Sequence, residues 1–147
     1  MKTIALRFAE NFAPECGTIN AHQQVIDTIG HVWYGKMGSP ISSKMIEVLK
    51  EQSSPRILLI HSGKAMRYWA FISDVQRETP PLKEIPEYYR YSTEKFKTWF
   101  KIIRFEQAPK DVMSKCYVAS SKSMLNEASK HSMSPYFIIE TGVMEVM

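Results

Sequence analysis

Two apolar runs joined by a short turn do most to restrict the fold of this chain. The first, residues 56–61, is continuous and of strand length, which indicates a strand covered on both faces. The second run, residues 68–75, follows a turn that contains Gly63. Two strands with so short a glycine-containing link are typical of a β-hairpin, so part of the sheet is expected to be antiparallel.

Shorter patterns on either side of the hairpin predict the other elements. Apolar residues at three- and four-residue steps predict a helix from an N-cap at Thr18 to Ile29, with Gly30 at its end and His22 packed on its apolar stripe. A second helix is predicted from Ser42 to about residue 52. The remaining predictions are a third helix at 120–130 and strands at 3–8, 31–36, 99–105, 113–119 and 136–140.

The number and length of these strands indicate the fold class. Because they are short, numerous and in part linked as a hairpin, they favour an α+β fold with a mixed, mainly antiparallel sheet. We expect this sheet to curl into a small open β-barrel flanked by two or three helices, and a doubly wound parallel sheet explains the order less well. With 147 residues, 44% of them hydrophobic, one domain is expected over residues 1–147.

Composition and motifs argue against several classes of protein. No apolar run approaches the roughly 20 residues that span a bilayer, and the N-terminus becomes charged before a signal peptide could be complete. We therefore expect a cytoplasmic protein with no membrane partner. The two cysteines, Cys16 and Cys116, have no metal-ligand spacing and are expected to be reduced thiols, and no glycine-rich phosphate motif occurs. No metal or cofactor is predicted.

The stretch GHVWYGKMG at 30–38 carries the first functional hypothesis. It places Trp33 and Tyr34 between glycines, after a predicted helix. A tryptophan that ends a short strand and runs into a glycine-rich turn can present one ring face at a pocket, as a flat base or a methylated ring requires. The alternative is a core tryptophan followed by an ordinary turn. The net charge of +4 is compatible with a polyanionic partner.

Three blocks of sequence resemble the PUA-like superfamily. They are GHVW at 30–33, RILLIHSGK at 56–64 leading into WAFI at 69–72, and FKTWFKI at 96–102 followed by Pro109. The similarity runs from Ile4 to Ile139 and is closest to the YTH and EVE branches. It implies a reader of modified bases: YTH domains hold N6-methyladenine in an aromatic cage, and EVE-like relatives are thought to take modified DNA bases.

The resemblance also implies partners and site residues. The partner would be DNA or RNA with a modified base, and related domains at the N-termini of methyl-directed restriction motors suggest a fused or associated AAA+ motor. Trp33 matches a cage wall, Tyr34 would offer backbone groups to the base edge, and the loop after the first strand would approach the base. The second wall is open between Tyr88, Tyr89, Tyr91 and Trp99, in or beside an irregular segment at 79–91 that is a candidate lid. The expected base pocket comprises Trp33, Tyr34, Asn11, Phe12, Trp99 and Trp69.

Phosphate contacts are expected to supply most of the affinity. Stacking of a flipped base gains about 1 to 3 kcal/mol per contact, whereas extrusion of the base from a duplex costs a few kcal/mol. Lysine and arginine side chains beside the pocket would provide the remainder. The candidates are Lys36, Lys64, Arg67, Lys97, Lys101, Lys115 and Lys122.

Two other functions remain as alternatives. Some PUA-like proteins of the ASCH branch are reported as hydrolases that use Lys, Thr and Glu, which would here draw on Lys36, Thr18 and Glu10 for a reaction on a nucleoside or RNA. The other alternative is an adapter whose aromatic surface docks another protein. We expect a binding domain rather than an enzyme.

Overall fold

The chain forms one mixed sheet with helices packed against it. The computed structural model describes residues 1–10, 13–62, 65–132, 134 and 136–141. Residues 77–95, here called the β4–β5 segment, contain three short 3₁₀ turns. The elements are β1 (Lys2–Phe8), α1 (Thr18–Ile29), β2 (Val32–Met37), α2 (Ser43–Lys50), β3 (Arg56–His61), β4 (Arg67–Gln76), β5 (Phe96–Gln107), β6 (Cys116–Val118), α3 (Leu125–His131) and β7 (Tyr136–Thr141).

The sheet has seven strands in the order β2-β5-β4-β3-β1-β7-β6. β1 and β3 run parallel, and the other neighbouring pairs are antiparallel. β3 and β4 form the predicted hairpin, with Leu58 opposite Trp69. This mixed, mainly antiparallel, open sheet with three helices confirms the predicted fold class. β1 and β2 are consecutive strands in the sequence, but β5, β4 and β3 lie between them in the sheet.

The two faces of the sheet bury separate cores because successive side chains of a strand point to opposite faces. Ile4 and Leu6 of β1 belong to a core that also contains Leu49 of α2. Ala5, between them, faces a second core that includes Leu125 of α3. A third, smaller core lies under the β4–β5 segment and contains Trp33, Ile85, Tyr89, Phe96 and Trp99.

The helix ends follow local capping rules with one difference from the sequence prediction. Gly30 ends α1 with a φ of 92°, and Ser42 caps α2 by accepting a hydrogen bond from the Met45 N–H at 3.1 Å. The predicted N-cap Thr18 is instead the first residue of α1. Its N–H donates to both carboxylate oxygens of Glu10, at 3.2 and 3.3 Å, so a carboxylate from outside the helix replaces the cap.

The third helix and the sixth strand are both shorter than predicted. α3 begins at Leu125 rather than at residue 120, because residues 119–122 turn and Lys122 has a φ of 63°, which a right-handed helix does not contain. β6 begins at Cys116, since Val112–Ser114 forms a 3₁₀ turn instead of extended strand.

Candidate functional site

A cavity of about 420 Å³ opens between the end of β1 and β2. The end of β1 and the loop that follows supply residues 6–9, β2 supplies residues 34–37, and the β4–β5 segment closes the third side. Its volume lies within the range of small-ligand pockets, roughly 300 to 1,000 Å³. The lining residues are Leu6, Arg7, Phe8, Ala9, Ala13, Thr18, Tyr34, Gly35, Lys36, Met37, Tyr88, Tyr89, Ser92, Lys95 and Phe96.

Five of these residues are aromatic, and the rings of three of them contact one another. Tyr89 packs on Phe96 with ring centroids 4.4 Å apart, and Tyr88 meets Tyr89 edge-on at 4.8 Å. Phe8 and Tyr34 complete the aromatic set. Tyr88 is half-buried while the other four are buried. Aromatic rings that are already held by their neighbours can contact a flat ligand with little loss of side-chain entropy on binding.

A buried histidine lies beneath the tyrosines. The His22 ring centroid is 5.2 Å from those of Tyr34 and Tyr89. Its Nδ1–H donates to the Thr18 carbonyl at 2.8 Å, and burial lowers the pKa of His22 to about 4, so the ring is neutral at neutral pH. Burial also raises the pKa values of Tyr34, Tyr88 and Tyr89. Their hydroxyl groups therefore stay protonated and can donate hydrogen bonds. The predicted packing of His22 is confirmed.

The charged residues that line the cavity are all cations: Arg7, Lys36 and Lys95. Lys36 is buried, and its Nζ donates to the carbonyls of Ser39 at 2.7 Å and Met37 at 3.1 Å. Burial lowers the pKa of this ammonium group. The Arg7 Nη2 donates to two carbonyls near the end of α3, whereas Lys95 is exposed. Ligands with acceptor or anionic groups therefore fit this lining better than cations do.

The expectation that Trp33 exposes one ring face at a hollow is wrong. Trp33 is only 5% exposed and does not line the cavity. It packs in the core under the β4–β5 segment, beside Ile85 and Trp99. The reason is strand alternation: Tyr34 and Lys36 face the cavity side of β2, so Trp33, the residue before Tyr34, faces the opposite side.

The other predicted base-pocket residues are distributed differently. Trp99 is fully buried in the same core as Trp33, and neither it nor Trp69 lines the cavity. Trp69 belongs to the core on the α3 side, with the Arg56 guanidinium 4.0 Å from its ring centroid. Asn11 and Phe12 lie outside the described residues. Among the described residues of that set, Tyr34 is the one that the structure brings to the cavity.

The predicted phosphate-binding cations are not gathered around the cavity. Lys36 lines it, but as a buried group. The Arg67 Nε lies 2.9 Å from the Met113 sulfur, and Lys115 pairs with Asp111 at 3.4 Å. The Lys122 ammonium lies 5.5 Å from the centroid of the Tyr117 ring. Lys101 is half-buried and Lys97 is exposed. Lys64 lies outside the described residues. Three of the lining residues, Phe8, Lys95 and Phe96, were not predicted from the sequence. Phe8 and Phe96 lie at strand ends and Lys95 lies in a turn, and the sequence around them contains no motif that indicates a pocket.

A carboxylate joins the β4–β5 segment to β2 and the residue before it. Glu84 Oε1 accepts hydrogen bonds from His31 Nε2 at 2.6 Å and from Trp33 Nε1 at 3.2 Å, since a carboxylate can only accept. The hydrogen bond from His31 is the main cause that holds the pKa of Glu84 below its ordinary value. This contact fixes the segment that carries Tyr88 and Tyr89.

We expect Glu84→Gln to lower the free energy of unfolding at neutral pH by about 1 to 2 kcal/mol, through the weakened hydrogen bonds. A carboxylate whose pKa is lowered by folding stabilises the folded state above its ordinary pKa of 4.5, and this stabilisation is lost as the pH falls through the folded value. The difference between wild type and variant, measured by urea unfolding, should therefore shrink in acid.

The control for this prediction is Glu94→Gln, a change at an exposed residue of the same segment. It should alter the unfolding free energy by less than about 0.5 kcal/mol. A wild-type advantage over Glu84→Gln that persists undiminished in acid would contradict the role of the ionised carboxylate.

The comparisons with known proteins give the family. A family model described as Pua-like matches residues 4–140, while searches of curated proteins and of solved structures return no match. No helix in the described part of the chain is long and apolar enough to cross a membrane, and no group of three or more potential ligands there could hold a metal ion. PUA-like domains are in general binders of RNA or DNA. Since the matched region extends from β1 into β7, this chain belongs to the PUA-like family.

Proposed function

We propose that this PUA-like domain binds a nucleic acid and takes one modified base, flipped out of its strand, into the cavity between β1 and β2. The observation that carries the proposal is the lining of that cavity, in which the described residues combine aromatic walls with cations and include no carboxylate. A flat heterocycle gains stacking energy against such walls, about 1 to 3 kcal/mol per base. The aromatic cage implied by the YTH and EVE resemblance is thus assigned to tyrosines instead of Trp33.

The position of β2 supports a second kind of contact. β2 is at the edge of the sheet, so the backbone N–H and C=O groups on its outer side have no strand partner. Residues 34–37 of this strand line the cavity. The Tyr89 side chain hydrogen-bonds to the backbone at Gly35, and other backbone groups of an edge strand beside a stacked ring can hydrogen-bond to the edge of a base and so distinguish one base from another.

Phosphate contacts provide the remaining affinity in this proposal. Lys95 is an exposed cation in the cavity wall, and Lys97 is exposed two residues further along. Each phosphate that a protein neutralises makes binding fall more steeply with salt. Binding of an oligonucleotide should therefore weaken as the salt concentration rises, in proportion to the number of such contacts.

The sharpest test of the proposal replaces one wall of the cage. Tyr88→Ala removes the half-buried ring of the wall and is expected to weaken binding of a modified single-stranded oligonucleotide by about 5- to 150-fold, equivalent to about 1 to 3 kcal/mol of stacking. Fluorescence anisotropy at one fixed, low salt concentration measures the effect. The panel contains matched strands with N6-methyladenine, 5-methylcytosine or no modification.

Two controls separate this role from a general loss of aromatic surface. Tyr91→Ala removes a tyrosine that is 90% exposed and does not line the cavity, so affinity should change less than about twofold. Trp33→Phe keeps a buried ring in the core and should leave the preference for the modified base intact. Equal losses from Tyr88→Ala and Tyr91→Ala would refute the assignment of the cage and favour an adapter surface.

A hydrolase of the same fold is the second candidate function, because the structure brings together the residues that the ASCH resemblance selects. Thr18 and Lys36 both line the cavity, and the Glu10 carboxylate accepts from the Thr18 N–H. The lowered pKa of Lys36 suits a proton acceptor. Incubation with acylated nucleosides tests this candidate: turnover that Lys36→Ala abolishes would establish an enzyme.

A further inference from the structure

Lys36 differs from every other buried side chain in the described part of the protein because it carries a charge. It is 6% exposed, and the remaining buried polar residues there are threonines and the neutral His22. None of the ion pairs formed by the described residues includes Lys36. Its ammonium contacts two carbonyls and lies 4.4 Å from the centroid of the Tyr136 ring.

These contacts compensate the buried charge only in part. Carbonyl dipoles and an aromatic face stabilise an ammonium group, but they bring no negative charge to oppose it. Burial lowers the pKa of Lys36, and no acid in the part of the chain that the structure describes forms an ion pair with its ammonium group. A buried cation that lacks a counter-charge is costly unless a ligand supplies one.

The surroundings of Lys36 add positive charge. Arg7 and Lys95 line the same cavity, and the Arg7 guanidinium donates to carbonyl groups of Ser129 and Ser132. Glu10, an acid close to this wall, accepts hydrogen bonds from the Thr18 N–H. Because the three charged side chains among the described lining residues are cations and the lining is largely apolar, the cavity favours anions over cations.

We propose that the nucleoside accepted by this cavity carries an anionic oxygen group, a carboxylate or a phosphate, that pairs with Lys36. This inference rests on the proposed function and narrows its ligand from a modified base to a negatively charged one. The same chemistry has two sources: an acidic substituent on the base itself, or the terminal phosphate of a strand whose last nucleotide enters the cavity. A neutral methylated base would leave the Lys36 ammonium with its carbonyl and ring contacts but without a counter-charge from the described residues or the ligand.

The experiment compares four short single strands of one sequence by fluorescence anisotropy. One carries 5-carboxycytosine, one carries 5-methylcytosine, and one is unmodified, all three with hydroxyl ends. The fourth is unmodified but has a 5′-phosphate. We expect wild type to bind one of the two anionic strands about tenfold more tightly than the 5-methylcytosine strand, which is the effect expected of one charge-assisted hydrogen bond. Preference for the 5-carboxycytosine strand identifies the base as the source, and preference for the 5′-phosphate strand identifies the terminus.

Two variants test the assignment to Lys36. Lys36→Met keeps the length and apolar stem of the side chain, so it should reduce the anionic preference, the ratio of the affinities for the anionic and the 5-methylcytosine strands, to less than about twofold. Lys44→Met, the control, removes an exposed lysine of α2 that does not line the cavity and should keep the preference. Urea unfolding of each variant checks that it is folded.

The outcomes distinguish the inference from the proposed function. If wild type prefers the 5-methylcytosine strand to the other three, the inference is overturned and the proposed function stands. If it binds all four strands equally, it shows no preference for a modified base, and both are overturned. If wild type binds none of the four strands, both are overturned. The inference would also be overturned if Lys36→Met kept the same ratio of anionic to neutral affinity as wild type.

Discussion

Trp99→Ala is expected to lower the free energy of unfolding by about 3 to 5 kcal/mol, the loss typical of a large aromatic side chain deleted from a core. Trp99 is fully buried, with its ring centroid 5.1 Å from that of Phe96 and 6.0 Å from that of Tyr89. Since domains are stable by only about 5 to 15 kcal/mol, this is a large fraction of the total. Urea unfolding followed by far-UV circular dichroism measures it.

Trp99→Phe is the matched control. It keeps a ring in the core and removes the indole Nε1–H, which is buried with no acceptor among the described residues. Because the substitution also removes an unsatisfied donor, its cost should be at most about half of that of the alanine variant. If Trp99→Ala left the unfolding free energy unchanged but weakened binding to modified strands, Trp99 would be an exposed wall of the base pocket, as the sequence first suggested.

The second large effect is expected from Gly35→Ala. A Cβ atom at Gly35 would lie 2.6 Å from two carbon atoms of the Phe96 side chain, well inside van der Waals contact. Tyr89 and Trp99 pack against Phe96 on other sides, so the ring has room to move chiefly into the cavity that it lines. We expect a loss of about 1 to 3 kcal/mol in unfolding free energy, the usual cost of overpacking.

Ligand binding should fall together with stability in this variant, because the displaced Phe96 ring would occupy part of the cavity. The double variant Gly35→Ala with Phe96→Leu tests this explanation, since a smaller side chain relieves the clash. Its loss of stability should be less than the sum of the two single losses. Additive losses would show that the clash with Phe96 is not the cause.

Local signals explain why the elements were predicted well. Gly30 and Ser42 act as caps through contacts within a few residues, and the β3–β4 hairpin follows from two runs with a short link. The third helix was placed too early because the left-handed conformation of Lys122 leaves no mark on the apolar spacing. The parallel pairing of β1 with β3 depends on contacts between distant parts of the chain, which periodicity does not reveal.

The candidate site was harder to predict because it too depends on contacts between distant parts of the chain. Alternation in β2 already indicates that Trp33 and Tyr34 face opposite ways, but it does not indicate which side a later segment covers. That side is set by Glu84, which reaches His31 across 53 positions of sequence. Tyr88 and Tyr89 were among the open candidates for the second wall, and they line the cavity. Their segment has no periodic pattern from which a position could be inferred.

The attachment of the β4–β5 segment has a kinetic consequence. Glu84 holds this segment through His31 and Trp33, on the side of β2 opposite Tyr34, while Tyr88 and Tyr89 extend from the same segment into the cavity wall. A ligand enclosed by these tyrosines dissociates only when the β4–β5 segment moves away from β2. The residence time of a ligand in this cavity should therefore depend on Glu84, which does not line the cavity, and selection for slower or faster release can act there without altering the lining residues.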